Sequence, residues 1–123
     1  MKARGFTLIE LLVVMVIIAT LLSIVTPRYF RHLDRAGEAA LRQTLNVVRD
    51  AIDKYHADKG RYPPTLEALV EQRYLRQLPT DPVAGKETTW ILLPPPADPN
   101  GGIHDVHSGA TGTGSDGIAY TDY

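Results

Sequence analysis

The chain contains no cysteine, which excludes disulfide bonds and thiol catalysis but leaves the cellular compartment open, since an exported protein need not use cysteine. Its net charge is only -1 at pH 7, so the overall balance indicates neither nucleic acid nor an acidic substrate as a partner. The sequence also lacks paired catalytic carboxylates, a nucleophile with a base, and a phosphate-binding loop. A length of 123 residues allows one modest domain, and an enzyme has no residues in this sequence to support it.

Charge is absent from a whole segment near the N-terminus. The 15 residues from Leu11 to Val25 carry no charged side chain, and the apolar stretch from Phe6 onward approaches the roughly 20 helical residues that span a bilayer core. Such a segment is a secretory signal peptide, a signal anchor, or an assembly helix that waits in the membrane. An ordinary signal peptide is disfavoured, because branched Val25 stands where small residues should mark the cleavage site.

Basic residues flank the apolar segment on both sides, so charge alone does not orient it in a membrane. Lys2 and Arg4 precede it, and Arg28, Arg31 and Arg35 follow it. We take the short N-terminus as cytoplasmic, because export of the downstream domain fits the other features. The three arginines that follow the apolar segment, together with Arg42, are expected to contact lipid headgroups or acidic neighbours in a fibre, and no nucleic acid is expected.

A helical pattern resumes after Pro27 with apolar residues on one side only. The residues of this stripe recur every three or four positions, as in an amphipathic helix: Leu41, Leu45, Val48, Ile52 and Tyr55. The pattern predicts one helix from about Thr7 to about Ala57, ended by Gly60. Pro27 should bend or locally open this helix, because proline removes a backbone donor and clashes with the preceding turn.

The remainder of the chain predicts further short elements. A second helix is expected from Leu66 to about Leu75, with Thr65 as its N-cap. β-Branched and aromatic residues indicate a strand at 88–93, and two shorter strands are expected at 103–107 and 118–120. The predicted fold class is α+β, with a long N-terminal helix, transmembrane in its first half, packed against a small antiparallel β-sheet.

A short motif precedes the apolar run: a basic leader, Gly5, Phe6 and an embedded Glu10, with Pro27 further along. This combination resembles the class III signal of type IV pilins and of the pseudopilins of type II secretion. The resemblance implies cleavage after Gly5 by a prepilin peptidase of the inner membrane, and N-methylation of Phe6. It divides the chain into a leader peptide, a transmembrane assembly helix and a periplasmic pilin-like domain, at 1–5, 6–27 and 28–123.

Glu10 lies in the apolar segment, where a charged side chain at mid-membrane costs roughly 2.5–3.5 kcal/mol on insertion scales. It either lies near the interface and stays hydrated, or it meets a positively charged partner. Cleavage after Gly5 would create a cationic amine at Phe6. In the family that the motif resembles, this glutamate pairs with the N-terminal amine of a neighbouring subunit and sets the axial step of a filament.

A second resemblance covers residues 55–82. The segment contains Tyr55, Gly60-Arg61-Tyr62-Pro63, Tyr74-Leu75 and Asp81-Pro82, a pattern similar to that of G-type, or major, pseudopilins. Those proteins lack the C-terminal disulfide loop of many type IV pilins, which agrees with the absence of cysteine. The same residues would also suit the core and turns of any small domain.

The resemblance implies a structural subunit of a type II secretion pseudopilus that drives protein export, and not an enzyme. Its implied partners are a prepilin peptidase, copies of itself and other pseudopilins, and an assembly platform in the inner membrane. We expect a single-pass protein of the bacterial inner membrane with its C-terminal domain in the periplasm, which then joins a periplasmic fibre. The alternatives are a major or minor type IV pilin for adhesion, motility or DNA uptake, and an anchored periplasmic module that never polymerises.

The C-terminal tail, with its glycines, serines and aspartates, resembles the calcium-binding loop of these pseudopilins. The resemblance makes Asp105, Ser108 and Asp116 the candidate ligands, with Asp122 a weaker candidate, and calcium the one cofactor considered, since calcium prefers oxygen ligands. The tail is shorter and less acidic than the loop of the family, and its Asp-Gly and Ser-Gly pairs are also typical of ordinary turns. His104 and His107, at i and i+3 in a predicted strand, point to opposite faces and do not easily share an ion.

Overall fold

A computed structural model of the chain describes residues 4–85 and 90–123. Its elements in chain order are α1, Leu8–Lys59; α2, Leu66–Glu71; β1, Trp90–Leu93; β2, Asp105–Ser108; and a 3-10 turn, Tyr120–Asp122. The chain divides into two compact units, one that ends at Leu33 and one from Asp34 to Tyr123. The long helix and the small antiparallel sheet confirm the predicted α+β class.

In the first unit, α1 exposes its apolar side chains on all sides, and every residue from Arg4 to Leu33 is exposed. The polar side chains within the apolar run bond to the helix itself. The hydroxyls of Thr20, Ser23 and Thr26 donate to carbonyl oxygens four residues earlier, at 2.8, 2.8 and 2.6 Å. These bonds satisfy the hydroxyl donors without water, as an apolar environment requires.

Helix α1 continues through Pro27. Two effects were predicted for this proline, local opening and bending. The helix does not open at Pro27, because proline removes only one backbone hydrogen bond and the helical bonds on either side remain. Bending stays a prediction. The end of the helix agrees with the sequence. Gly60 adopts a φ of 71° and donates to the carbonyl of His56 at 2.9 Å, a left-handed conformation that glycine adopts without strain.

The second unit builds its core on the apolar stripe of α1. All the predicted stripe residues are buried, namely Leu41, Leu45, Val48, Ile52 and Tyr55, which confirms the helical period. Residues of α2, of the sheet and of the segment before β2 complete the same cluster, among them Leu66, Leu69, Trp90, Ile103 and Val106. The sheet is therefore held to the second half of α1 by apolar burial.

Strands β1 and β2 form an antiparallel pair whose register sets Trp90 opposite Ser108 and Leu93 opposite Asp105. Trp90 is buried, and its indole N–H donates to the carbonyl of Pro79 at 2.9 Å. It is the only tryptophan in the sequence, so its fluorescence reports on the packing of this unit.

Helix α2 confirms Thr65 as its N-cap, since the Thr65 hydroxyl accepts the N–H of Ala68 at 3.1 Å. The predicted end near Leu75 is wrong. The helix stops at Glu71 because Arg73 adopts a φ of 64° and the N–H of Tyr74 reaches back to the carbonyl of Leu69 at 2.8 Å.

The strands differ from the prediction in their bounds. Strand β1 is described from Trp90, and the first two residues of the predicted strand, Thr88 and Thr89, lie outside the described residues. Strand β2 begins later than expected, because the N–H of Ile103 bonds to Pro63 instead, at 2.8 Å. The strand predicted at 118–120 is wrong: this segment makes one isolated bridge and then enters the 3-10 turn.

A buried carboxylate organises the turn that precedes the sheet. Asp81 is fully buried, accepts the backbone N–H groups of Val83 and Ala84 at 2.9 and 3.0 Å, and accepts the hydroxyl of Ser108. One side chain thus closes the turn and ties it to β2. Its loss would leave several donors without an acceptor inside the domain.

We predict that Asp81→Ala lowers the free energy of unfolding by about 2–3 kcal/mol, because buried donors are left unsatisfied. The measurement is urea unfolding of the full chain in detergent micelles, followed by Trp90 fluorescence. The control is Asp98→Ala, since Asp98 closes a similar turn by accepting the N–H of Asn100 at 3.0 Å but is exposed. Its effect should stay within about 0.5 kcal/mol. Equal losses in the two variants would contradict the role given to Asp81.

Candidate functional site

The two residues at the predicted cleavage site are accessible. Gly5 and Phe6 precede helix α1, which begins at Leu8, and Phe6 is 94% exposed. A Cβ atom built on Gly5 would meet no atom within 4 Å beyond its chain neighbours. The packing of the chain itself therefore places no demand for glycine at this position.

Glu10 and Thr7 cap the start of α1 together. The backbone N–H of Thr7 donates to Oε2 of Glu10 at 3.0 Å, and the backbone N–H of Glu10 donates to the Thr7 hydroxyl at 3.2 Å. This reciprocal pair is a capping box, which satisfies backbone donors at the helix N-terminus. The Thr-x-x-Glu spacing of Thr7 and Glu10 is the sequence signal for this box, so Glu10 is a capping residue as well as a charge in an apolar run.

The first part of α1 has the length and composition of a membrane span. Among the described residues, α1 is the one helix that is long and apolar enough to cross a bilayer, and none of its most apolar window is buried. Contiguous apolar surface of this kind is rare on a monomeric soluble protein. The exposed helix therefore agrees with the transmembrane segment predicted from the sequence.

Asp105, the first candidate calcium ligand, is engaged by an arginine of α1. Its Oδ1 accepts Nε of Arg49 at 2.9 Å and the backbone N–H of Val106 at 2.7 Å. Partial burial acts to raise the pKa of Asp105, but the hydrogen bonds from Val106 and Arg49 and the charge of the guanidinium outweigh it and lower the pKa. Asp105 is therefore held in its ionised form by groups of the protein.

Ser108, the second candidate, belongs to the buried Asp81 turn. Its hydroxyl donates to Asp81 and accepts the N–H of Ala110 at 3.1 Å. Asp105 and Ser108 lie on opposite faces of β2, because successive side chains of a strand alternate and the two residues are three positions apart. One ion cannot easily reach both side chains.

Asp116, the third candidate, forms an ion pair with Arg42 of α1. Its Oδ1 also accepts the backbone N–H of Ile118 at 3.1 Å and the hydroxyl of Tyr123 at 3.3 Å. The bond from Ile118, followed by the charge and hydrogen bond of Arg42, lowers the pKa of Asp116. Next to it, Ser115 bonds to Glu38: the carboxylate accepts the backbone N–H at 2.6 Å and the hydroxyl at 2.7 Å.

These placements do not fit the calcium site expected from the sequence. Calcium takes 6–8 oxygen ligands, whereas here Asp105 and Asp116 each contact a different guanidinium and Ser108 points the other way. Across 4–85 and 90–123, no three His, Cys, Asp or Glu side chains are grouped to hold a metal. The alternation of side chains along a strand, which separates His104 from His107, separates Asp105 from Ser108 equally well.

The two histidines near β2 have separate surroundings. The ring of His104 packs edge-on against Tyr62, with centroids 5.1 Å apart. Nε2 of His107 lies 3.5 Å from Oδ2 of Asp105. The described contacts thus give each ring a partner of its own.

The features together define a class of protein. An accessible Gly-Phe junction leads into a capped, exposed apolar helix, and the same helix continues into a small α+β domain. This is the architecture of a pilin-like subunit.

Known proteins agree with this class. A family model described as the prokaryotic N-terminal methylation motif matches residues 1–26. The type II secretion system core protein G of Klebsiella michiganensis is 33% identical, over 97% of this chain and 88% of the relative. The proteins of the same name from Klebsiella pneumoniae and Pectobacterium carotovorum are each 36% identical, over 66% and 76% of this chain and 69% of each relative. No solved structure matches significantly.

The chain belongs to the family of the type II secretion system core protein G.

Proposed function

We propose that the chain is the major pseudopilin of a type II secretion system, cut after Gly5, methylated at Phe6 and polymerised through its N-terminal helix to drive protein export. The observation that carries the proposal is the methylation motif over residues 1–26 at the head of an exposed apolar helix. Residues 1–5 are then the leader, 6–27 the membrane and assembly helix, and 28–123 the periplasmic domain. The role is structural, and the chain is the substrate of an enzyme.

The exposed apolar helix supports both a membrane stage and an assembled stage. Each Å² of apolar surface left in water costs about 25 cal/mol, and large side chains such as Leu12, Val16 and Leu22 are more than half exposed. A bilayer covers this surface before assembly, which fits a single-pass anchor in the inner membrane. In the fibre, the helices of neighbouring subunits cover it instead.

The capping box supports a second role for Glu10 after cleavage. Oε2 of Glu10 accepts the N–H of Thr7, and a carboxylate has further lone pairs on its other oxygen. In the proposal, that oxygen accepts the N-methylated amine of Phe6 from a neighbouring subunit. Thr7 and Glu10 then cap the helix start within one subunit, and the amine of the neighbouring subunit neutralises the charge of Glu10. Because this pairing requires the Phe6 amine to lie next to Glu10, it favours one axial step between subunits.

The further partners follow from the same proposal. A prepilin peptidase acts on the accessible junction, and an assembly platform in the inner membrane adds subunits from the bilayer to a periplasmic fibre. The alternative of a type IV pilin has less support, because the relatives described above are named for type II secretion. The Glu10 substitutions described below distinguish the proposed subunit from an anchored module that never polymerises.

We predict that co-expression with a prepilin peptidase removes residues 1–5 and leaves an N-methylated Phe6, as measured by intact mass spectrometry of the membrane-extracted protein. Gly5→Leu should block cleavage. Since Gly5 is exposed and a Cβ atom there has open space around it, we expect a block to come from contact with the peptidase and not from misfolding.

The matched control is Gly37→Leu, because a Cβ atom built on Gly37 also has no atom within 4 Å. This variant should be processed like the parent. A mature protein that keeps residues 1–5, or that has lost the whole apolar segment, contradicts the proposed cleavage.

We predict that Glu10→Gln abolishes or disorders fibre growth while processing and membrane insertion continue. Glutamine can still cap the helix but carries no charge to meet the Phe6 amine, and loss of one partner of a buried pair typically costs about 3–5 kcal/mol. Glu10→Leu should fail in the same way, with unchanged or easier insertion. Fibres are assayed by shearing and crosslinking, alongside a blot of the membrane fraction.

The control for helix capping is Thr7→Val, which removes the capping hydroxyl but keeps the carboxylate. It should lower fibre yield less than Glu10→Gln does. Normal fibres from Glu10→Gln would show that the charge pair is not required, and normal fibres from Glu10→Leu as well would favour a role for Glu10 outside assembly.

A further inference from the structure

Three charged side chains of α1 contact the C-terminal segment, which we define as Asp105–Tyr123. Glu38, Arg42 and Arg49 recur at spacings of four and seven residues, which places them on one flank of the helix beside the buried stripe. Each of them bonds to a different part of the segment. The stripe forms part of the core, and this flank contacts the C-terminal segment.

Arg49 joins the beginning of the segment to its last residue. Its Nε donates to Oδ1 of Asp105 at 2.9 Å, and its Nη2 donates to the carbonyl oxygens of Val106 at 2.9 Å and Tyr123 at 2.7 Å. The side chains of Arg49 and Asp105 are only about one third exposed, 31% and 33%. Partial burial protects such charge-assisted bonds from screening by solvent.

Arg42 and Glu38 hold the middle of the segment. Arg42 pairs with Asp116 and lies 4.8 Å from the centroid of the Tyr123 ring, within the range of a cation–π contact. Glu38 is buried, and its two carboxylate oxygens accept both donors of Ser115. The turn that contains Ser115 and Asp116 is therefore fixed by one anion and one cation of the same helix.

We propose that Glu38, Arg42 and Arg49 fasten the C-terminal segment in place of a bound divalent cation, so that this domain folds and stays folded without calcium. Asp105 and Asp116, the carboxylates that would attract calcium, already meet a guanidinium each. A calcium ion would have to displace these groups and would be repelled by their charge. The proposal concerns the folded domain and does not depend on polymerisation.

The first experiment needs no substitution. The full chain in detergent micelles is melted in millimolar calcium chloride and in millimolar EGTA, with Trp90 fluorescence as the readout. The melting temperature should be the same in both. A bound calcium at a hundredfold excess over its Kd would raise the melting temperature by about 10 °C or more, and a rise of that kind overturns the proposal.

The second experiment tests the arginines in EGTA. Arg49→Gln should lower the melting temperature by about 5–10 °C, and Arg42→Gln by less, because the Arg42–Asp116 pair is more exposed. The melting temperature of Arg49→Lys should lie between those of Arg49→Gln and the parent, since lysine keeps the charge but not the planar fork of donors.

The matched control is Lys54→Gln. Lys54 is also a cation of α1, but it forms only an exposed pair with Asp50 on the same helix, at 2.9 Å. Its removal should leave the melting temperature almost unchanged, since exposed pairs contribute little. If Arg49→Gln has the same melting temperature as Lys54→Gln and the parent, Arg49 does not fasten the segment and the proposal is wrong.

Discussion

The structure depends on how helix α1 distributes apolar side chains around its axis. Up to Leu33 they are exposed on all sides, a surface that water disfavours in proportion to its area. From Leu41 to Tyr55 the buried apolar side chains lie on one stripe, while Val47 beside it is exposed, so the domain packs on that side. Because the stripe is narrow, the flank beside it stays polar and is available for Glu38, Arg42 and Arg49. The same change of pattern therefore divides the helix into two parts. The apolar surface of the first part has to be covered by a bilayer or by other helices, and that of the second part is covered by the domain packed on it.

The start of α1 shows how a carboxylate is retained in an apolar segment. A helix leaves its first backbone N–H groups without partners, and in hydrocarbon each unsatisfied donor is costly because no water is present to bond to it. The bonds between Thr7 and Glu10 satisfy two of these donors, and the carboxylate also lies at the positive end of the helix dipole. Glu10 is thus partly compensated before any neighbour arrives. In the proposed fibre, the amine of Phe6 would add the full positive charge that the capping box lacks.

Much of the fold could be predicted from the sequence, because the strong signals are local. The period of the stripe, the capping role of Thr65 and the glycine that ends α1 each depend on a few neighbouring residues. The failures are tertiary. The strand expected at 118–120 is a bridge and a 3-10 turn, since its backbone bonds to 112 and 114 and not to a third strand. The partners of Asp105 and Asp116 come from a helix 56 and 74 residues away in sequence, which no local pattern reveals.

The choice between a metal ion and arginines has a geometric consequence. A calcium ion gathers its 6–8 oxygens around one point at roughly 2.3–2.6 Å, so its ligands have to converge. A guanidinium offers five N–H donors in a planar fork, and Arg49 uses this fork to bond a carboxylate and the carbonyls of two distant residues. The acceptors do not need to converge, and Asp105 and Ser108 are free to face opposite sides of β2. Because Arg42 and Arg49 belong to α1, the proposed fastening is supplied by the same helix that carries the core stripe.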